Sequence, residues 1–196
     1  MIMEGIFPHK SGIQYDKLQL TPEGLYSVTR RRDGERLMDV LKMYIPNIHK
    51  KSITDATACV GSDTIRFSLD FARVDAVEWK RDNVVVLRHN LGIYEATNVT
   101  IHEGDVTKTF NWKTDVLYVD PPWGGPEYYK TTKLDVYLGP TRLDNWIETI
   151  LKRPDRPTYI VLKLPRNYNF AHIQFLPSVS QTLIHRIRNF MLVILI

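Results

Sequence analysis

Residues 115–123, which read Asp-Val-Leu-Tyr-Val-Asp-Pro-Pro-Trp, are the segment most informative about the fold. Residues 116–119 are all apolar, which predicts a strand over residues 115–119 that is buried on both faces. The strand ends at Asp120, and the two prolines that follow fix the backbone φ and so hold the acceptors of this turn in place. Asp120 is therefore expected at the carboxyl end of a buried strand, where open α/β sheets bind their ligands.

Strands and helices alternate on both sides of this stretch. Short apolar runs predict four further strands, over residues 52–57, 73–78, 98–102 and 158–164. Apolar residues at helical spacing predict helices over residues 33–44, 64–70, 80–91 and 141–152. This alternation predicts a mainly parallel sheet with helices on both faces.

The chain ends in two more β-rich runs, residues 181–187 and 190–196, around Arg188-Asn189. No helix fits between them, so we expect an antiparallel hairpin. The predicted α/β fold therefore has a mostly parallel seven-stranded sheet with a C-terminal antiparallel hairpin, which is typical of Rossmann-like class I methyltransferases. We expect residues 1–45 to form a short N-terminal helical extension that contributes to the site, and residues 46–196 to form the methyltransferase domain.

Size and composition restrict the class of protein. The 196 residues suit one domain, and 43% hydrophobic and 24% charged residues are ordinary for a soluble globular protein. One cysteine, Cys59, excludes an internal disulfide and fits a reducing compartment, so an intracellular place in cytoplasm or nucleus is expected. We expect neither a signal peptide nor a membrane span, because residues 1–7 carry Glu4 and the apolar run 191–196 is too short. The net charge of +4 favours an anionic partner.

Chemically suitable groups follow the first four predicted strands in order. A loop of small residues, 55–64, follows the first strand, and such a loop lets a ligand approach the backbone next to a helix N-terminus. Glu78 can accept both hydroxyls of a ribose, Asp105 can accept from an adenine amine, and Asp120 ends the fourth strand. Each feature alone also fits an ordinary strand end or turn, but their order predicts a nucleoside cofactor. A dinucleotide loop is not favoured, since Gly61 is the only glycine in the turn.

The Asp-Pro-Pro-Trp turn (residues 120–123) can bind an amino group on a planar base. An exocyclic amine shares its lone pair with the ring, so acceptors on its two N–H groups are needed to concentrate electron density on nitrogen. The Asp120 side chain and the Pro121 carbonyl can supply these two acceptors. Trp123 can stack on the base, and such stacking contributes about 1–3 kcal/mol to binding. The turn predicts methylation of a nucleobase nitrogen by S-adenosylmethionine, with Asp120, Pro121 and Trp123 as catalytic residues. The structural alternative is a proline-rich turn with a packing tryptophan.

These pieces resemble the RNA cap guanine-N2 methyltransferases, the trimethylguanosine synthase family, over about residues 17–167. The resemblance rests on residues 23–29 (Glu-Gly-Leu-Tyr-Ser-Val-Thr), the loop beginning at Asp55, residues 120–128 (Asp-Pro-Pro-Trp-Gly-Gly-Pro-Glu-Tyr) and residues 164–167 (Leu-Pro-Arg-Asn). The compact chain is more similar to viral than to cellular members, which would place it in a host cell.

The resemblance implies a methyl transfer from S-adenosylmethionine to N2 of a 7-methylguanosine cap, with capped RNA as partner, no metal and a monomer. It implies cofactor contacts by Thr29, Asp55, Thr57, Gly61, Glu78, Asp105 and Asp120. It implies substrate contacts by Lys17, Tyr26, Asn90, Trp123, Tyr128 and Arg166. Trp123 and Tyr26 would sandwich the cationic base, where a cation–π interaction contributes about 2 kcal/mol when desolvated. The other four residues would contact the cap ribose and triphosphate.

Three positions depart from the family pattern. Cys59 and Ser62 stand where the family usually has glycine, and Arg30 follows Thr29 where proline is common. Two alternatives stay open: an amino methyltransferase for adenine N6 or internal guanine N2, and a non-catalytic cap- or RNA-binding subunit. The basic run at residues 30–32 is either a solvated face or a contact with the RNA backbone.

Overall fold

A computed structural model describes residues 2–125 and 127–196 of the chain. The described residues form the strands β1 (Ser52–Asp55), β2 (Arg73–Glu78), β3 (Val99–Glu103), β4 (Val116–Val119), β5 (Tyr137–Leu138), β6 (Thr141–Arg142), β7 (Tyr159–Pro165), β8 (Thr182–Ile187) and β9 (Phe190–Leu195). The main sheet has seven strands in the order β3-β2-β1-β4-β7-β9-β8, and β5 pairs with β6 in a separate hairpin. Neighbouring strands from β3 to β7 are parallel, whereas β9 runs antiparallel to both β7 and β8.

Helices cover both faces of this sheet. They are α1 (Gly24–Ser27), α2 (Arg31–Tyr44), α3 (Ser62–Asp70), α4 (Arg81–Ile93), α5 (Val106–Thr109), α6 (Leu143–Leu151) and α7 (Ala171–Gln174). On one face, α2 and α3 bury Leu37, Leu41 and Phe67 against the sheet. On the other face, α6 buries Leu143 and Ile147. In the part of the chain that is described, no helix has the length and apolar character needed to cross a bilayer.

The predicted seven-stranded sheet with a C-terminal hairpin is confirmed, and the differences lie in element boundaries. The first strand ends at Asp55 and not at residue 57, because the chain turns there into the small-residue loop. The predicted helix over residues 141–152 begins at Leu143, because Thr141 and Arg142 pair with residues 137–138 as β6. The predicted helix over residues 33–44 begins at Arg31, and the one-turn helix α1 precedes it. The domain division at residue 45 stays a prediction.

At the junction between the small-residue loop and α3, both the backbone conformation and the close packing require glycine at position 61. Its φ is +94°, and an added Cβ would lie 2.6 Å from Cδ1 of the fully buried Leu87. We expect Gly61→Ala to lower the free energy of unfolding by about 1–3 kcal/mol, measured by urea denaturation, through backbone strain and overpacking.

Gly92 of α4 is the matched control for Gly61. No heavy atom lies within 4 Å of a Cβ added there. Gly92→Ala should raise the free energy of unfolding by about 0.5–1 kcal/mol, because alanine loses less conformational entropy in a helix. Equal effects of the two substitutions would contradict the described conformation at Gly61.

Candidate active site

Acidic residues lie at or just after the carboxyl ends of four neighbouring strands, at one edge of the sheet. Asp55 is the last residue of β1, Glu78 is the last residue of β2, and Asp120 directly follows β4. Asp105 lies two residues after β3. The strand order places them in the row Asp105, Glu78, Asp55, Asp120. The structure therefore brings together the four acidic residues that the sequence placed at strand ends.

Asp55 is buried and shapes the start of the small-residue loop. Its Oδ2 accepts from the Thr64 hydroxyl at 2.6 Å, and its Oδ1 accepts from the Thr57 backbone N–H at 3.2 Å. Burial raises the pKa of Asp55 to about 7, and the nearby carboxylates of Asp63 and Asp120 act in the same direction. The Thr57 hydroxyl oxygen also accepts from the backbone N–H of Asp120 at 2.8 Å, which joins the ends of β1 and β4.

Glu78 is fixed by two backbone donors. Cys59 N–H donates to its Oε2 and Lys80 N–H donates to its Oε1, each at 2.8 Å. A carboxylate oxygen can accept more than one hydrogen bond, so both oxygens retain capacity for ribose hydroxyls. Cys59 has a φ of +49°, in the left-handed region that favours glycine. The loop thus keeps a glycine-like conformation at the position where cysteine replaces glycine.

Asp105 caps the N-terminus of α5. Its Oδ1 accepts from the backbone N–H of Thr107 at 2.9 Å and from the Thr107 hydroxyl at 2.7 Å. Although burial opposes the change, these hydrogen bonds lower the pKa of Asp105 below its ordinary value. The carboxylate is therefore ionised at neutral pH and can accept from an amine.

The N-terminal segment (residues 15–30) covers the small-residue loop. A Cβ added at Gly24 of α1 would lie 3.1 Å from Val60 Cγ1, so α1 rests directly on the loop. Glu23 accepts from Lys80 Nζ at 2.8 Å, which joins α1 to the start of α4. The buried Thr29 donates its hydroxyl to Asp63 Oδ2 at 2.6 Å. Residues near the N-terminus thus form part of the same site.

Asp120 carries a partner that the sequence patterns did not predict. Lys163, in the interior of β7, donates Nζ–H to Asp120 Oδ2 at 2.5 Å, and its side chain is 5% exposed. Burial raises the pKa of Asp120 to about 6, while Lys163 acts in the opposite direction. The one signal in the sequence is a single lysine within the otherwise apolar run 160–164.

The rest of the Asp-Pro-Pro-Trp turn surrounds a half-buried indole. Pro121 is buried and Pro122 is exposed. The ring of Trp123 meets the edge of Tyr128 with centroids 5.2 Å apart and planes at 72°. The Trp123 Nε1 is buried and has no hydrogen-bond partner among the described residues. Pro126, part of the quoted Trp-Gly-Gly-Pro sequence, lies outside the described residues.

The predicted substrate residues fall into two groups. Tyr128 and Arg166 lie beside the turn, because Asn167 Nδ2 donates to the Tyr128 carbonyl at 2.8 Å. Lys17 and Asn90 lie instead where the N-terminal segment meets α4.

These residues differ in their exposure. Lys17, Tyr26 and Arg166 are exposed, with Tyr26 at 64%. Asn90 is fully buried, and its amide bonds the backbone of Gln19 and Val60. Its predicted contact with the cap stays a prediction.

A second residue that the sequence patterns did not predict is Trp79. It directly follows Glu78, its side chain is 67% exposed, and Lys80 Nζ lies 5.5 Å from its ring centroid. An exposed indole next to a carboxylate that can accept hydrogen bonds from hydroxyls can stack on a purine. The residues at this edge therefore fit an adenosine-type cofactor by their donor and acceptor chemistry. Within residues 2–125 and 127–196, no cluster of three or more His, Cys, Asp or Glu side chains is placed to hold a metal ion.

Comparison with known proteins identifies relatives by sequence. A profile of the family described as RNA cap guanine-N2 methyltransferase matches residues 50–190. The uncharacterised protein L320 of Acanthamoeba polyphaga mimivirus is 22% identical in an alignment 191 residues long that covers 85% of this chain and 74% of that protein. Trimethylguanosine synthase of Saccharomyces cerevisiae is 26% identical over 166 residues, covering 80% of this chain. The chain spans about half the length of the yeast protein, 51%.

Solved structures show the same fold at low sequence identity. Precorrin-6y C5,15-methyltransferase from Geobacter metallireducens GS-15 has a TM-score of 0.62 at 15% identity, covering 92% of this chain and 93% of that chain. The Pyrococcus abyssi tRNA (uracil-54, C5)-methyltransferase in complex with S-adenosyl-L-homocysteine has a TM-score of 0.57 at 14% identity, covering 87% and 39%. These likenesses confirm the predicted class I fold of S-adenosylmethionine-dependent methyltransferases.

The raised pKa of Asp55 predicts a pH-dependent stability. Between about pH 4 and pH 7 the unfolded chain loses the Asp55 proton while the folded protein keeps it, so the stabilisation by Asp55 is lost as pH rises. The difference in free energy of unfolding between wild type and Asp55→Asn should therefore decrease over this range, by at most about 4 kcal/mol. Urea denaturation of both proteins at several pH values measures this difference in free energy of unfolding. A difference that stays constant with pH would show that Asp55 has an ordinary pKa.

Proposed function

Because the chain belongs to the RNA cap guanine-N2 methyltransferase family, we propose that it methylates N2 of a 7-methylguanosine RNA cap, with S-adenosylmethionine as methyl donor. The observation that carries this proposal is the Asp-Pro-Pro-Trp turn itself. It places a partly buried carboxylate and an aromatic ring beside each other, at the sheet edge where Asp55, Glu78 and Asp105 also lie. An amine acceptor, a base-stacking ring and cofactor acceptors are the three elements that such a reaction requires.

The acidic row and the small-residue loop support the proposed cofactor. Glu78 is placed to accept the ribose hydroxyls, Asp105 to accept from the adenine amine, and Trp79 to stack on the adenine ring. Thr29, Thr57 and Gly61 bring backbone and hydroxyl groups close to the ends of β1 and β4. When bound, S-adenosylmethionine supplies a methyl group that is activated by its positive sulfonium.

Asp120 and Pro121 are proposed to prepare the attacking nitrogen. The Asp120 carboxylate and the Pro121 carbonyl accept hydrogen bonds from the two N–H groups of N2, so electron density stays on nitrogen. Trp123 would fix the plane of the base and so hold the nitrogen towards the methyl group that a bound cofactor would present. The new N–C bond forms as the C–S bond breaks, and the extra proton on nitrogen leaves to Asp120 or water. The contribution of the protein is mainly positioning.

The surrounding groups are suited to the rest of a cap. N7-methylation gives the base a positive charge, which strengthens its attraction to the Trp123 ring. Tyr26 exposes its ring for the opposite face, and the exposed Lys17 and Arg166 can pair with the triphosphate. Asn90 is proposed to act indirectly, since it fixes the backbone of Gln19 two residues from Lys17. Capped RNA is the proposed partner of a monomer, in the cytoplasm or nucleus where such RNA occurs.

Methyl transfer to a cap analogue tests this function. Purified protein should methylate 7-methylguanosine triphosphate in preference to GTP, with a mass increase of one or two methyl groups. Trp123→Ala should lower kcat/KM about 30-fold, the equivalent of about 2 kcal/mol of cation–π interaction. Trp123→Phe should recover part of this loss, because it keeps an aromatic face.

Three results would contradict the proposal. Methylation of GTP or of internal adenosine in preference to the cap would favour another amino methyltransferase. Failure to bind S-adenosylmethionine in calorimetry would favour a non-catalytic subunit. An unaffected Trp123→Ala variant would exclude the stacking role.

The exposed Trp79 gives a separate prediction for cofactor binding. Stacking on adenine is worth about 1–3 kcal/mol, so Trp79→Ala should raise the Kd for S-adenosylmethionine about tenfold or more. Binding should also quench tryptophan fluorescence in wild type, and less so in Trp79→Phe, which keeps a stacking ring. If Trp79→Ala binds the cofactor with the wild-type Kd, the adenine does not lie on this ring.

A further inference from the structure

Lys163 is a buried cation inside an apolar strand. Its side chain is 5% exposed, and its neighbours Leu162 and Leu164 along β7 are fully buried. A lysine is costly to bury unless its charge is paired and its donors are satisfied. Its contacts must therefore account for its presence at this point of the sheet.

The Lys163 ammonium joins the Asp-Pro-Pro-Trp turn to the N-terminal segment. Nζ donates to Asp120 Oδ2 at 2.5 Å and to the Thr29 hydroxyl oxygen at 2.8 Å. Thr29 in turn donates to Asp63 Oδ2 at 2.6 Å, and the Tyr118 hydroxyl donates to the same oxygen at 2.9 Å. A continuous buried network thus runs from the proposed amine acceptor to Thr29.

We propose that Lys163 is a positioning residue for methyl transfer, which orients the Asp120 carboxylate and keeps it ionised so that Oδ1 can accept the substrate amine. Through Thr29, this arrangement also depends on the docked N-terminal segment. The inference rests on the proposed function and deepens it, because it assigns a group that sets the state of the amine acceptor.

The orientation follows from two fixed points on Asp120. Thr57 accepts from its backbone N–H, and Lys163 occupies Oδ2. Among the described residues no hydrogen bond is formed to Oδ1, so this oxygen is the one left for a substrate N–H. An ionised carboxylate only accepts, whereas its protonated form carries a competing donor.

The ionisation follows from the charges that surround Asp120. Burial opposes its negative charge, and so do the carboxylates of Asp55 on β1 and Asp63 on α3. Tyr118 on β4 is neutral, because burial raises its pKa, and the buried Arg66 on α3 lies 3.7 Å from Asp63. Within the described part of the chain, Lys163 is the cation that contacts Asp120 directly. Burial lowers the pKa of Lys163, but the nearby carboxylates, first Asp120, outweigh this effect and keep it protonated.

Lys163 also approaches the aromatic ring that would stack on the base. Its Nζ lies 5.6 Å from the ring centroid of Trp123 and 5.2 Å from that of Phe190. A cation at this distance attracts the ring face and restrains its plane. The same ammonium therefore contacts both groups that are proposed to hold the base, the acceptor and the stacking ring.

Lys163→Met tests the inference, because it removes the charge and keeps the volume. Without its cation, the pKa of Asp120 should rise by about two units, which lowers the ionised fraction about tenfold at pH 7. We expect kcat to fall about tenfold, the KM for the cap analogue to stay within about threefold, and the acidic limb of the kcat–pH profile to move to higher pH. Lys163→Arg keeps the positive charge and should leave the acidic limb of the kcat–pH profile near its wild-type position. Lys152→Met, which replaces an exposed lysine at the C-terminus of α6, should leave both kcat and the pH profile unchanged.

A double variant separates positioning from stability. Removing one partner of a buried ion pair destabilises a protein, so Lys163→Met should lower the Tm. Lys163→Met combined with Asp120→Asn removes both charges and should recover Tm, but its kcat should stay as low as that of the slower single variant. Recovery of both Tm and kcat would overturn the inference.

The titration of Asp120 gives a readout without substrate. Carbon-13 NMR of aspartate carboxyl groups, with Asp120 assigned from its loss in Asp120→Asn, should show a higher pKa in Lys163→Met than in wild type. An unchanged Asp120 titration, or a Lys163→Met enzyme with the wild-type kcat–pH profile, would show that Lys163 is only structural. Wild-type protein that does not methylate the cap would refute the proposed function instead, while the NMR titration would still decide the role of Lys163.

Discussion

The four strands β1, β2, β3 and β4 are parallel to their neighbours, so their carboxyl ends lie at one edge of the sheet. The candidate site depends on that constraint. Asp55 and Glu78 each end a strand and Asp120 directly follows one, so no long loop has to bring them together. Their spacing is set by the hydrogen bonds between neighbouring strands. The constraint makes the site rigid, which suits a reaction whose main requirement is position.

The same constraint brings several carboxylates close together at a largely buried edge of the sheet. Each carboxylate is stabilised by different partners. Asp55 meets the neutral donors Thr57 and Thr64, and burial raises its pKa to about 7. Glu78 meets two backbone N–H groups. Asp120 is paired with a buried cation, Lys163. Two carboxylates on adjacent strands therefore have different chemistry: Asp55 shapes a loop, and Asp120 is suited to accept a hydrogen bond from an amine.

The sequence predicted the sheet well because short, mainly apolar runs alternate with segments of helical spacing. The C-terminal hairpin followed from the lack of room for a helix around Arg188-Asn189. The insertion of β9 between β7 and β8 was not predictable, since local sequence does not fix strand order. The short β5–β6 hairpin was also unpredictable, because two-residue strands leave no periodic pattern.

The candidate site could be predicted where residues end strands, and not where they lie inside elements. Asp55, Glu78 and Asp120 were identifiable because a polar residue after an apolar run marks the strand end. Lys163 was not, because a single lysine within β7 does not reveal which side chain it faces. Asn90 shows the converse: the family resemblance implied a contact with the cap, but in the structure its side chain is buried and bonds the backbone of Gln19 and Val60.

A crystal structure with S-adenosylhomocysteine and a 7-methylguanosine cap analogue would show directly whether the Asp-Pro-Pro-Trp turn holds the guanine amine. We expect the base to stack on Trp123, with N2 within about 3.2 Å of Asp120 Oδ1 and with Lys163 still bonded to Oδ2. We also expect the adenosine between Glu78 and Asp105. A base bound away from Trp123, or an Asp120 carboxylate turned away from N2, would contradict the assignment of this turn as the site that binds the amine to be methylated.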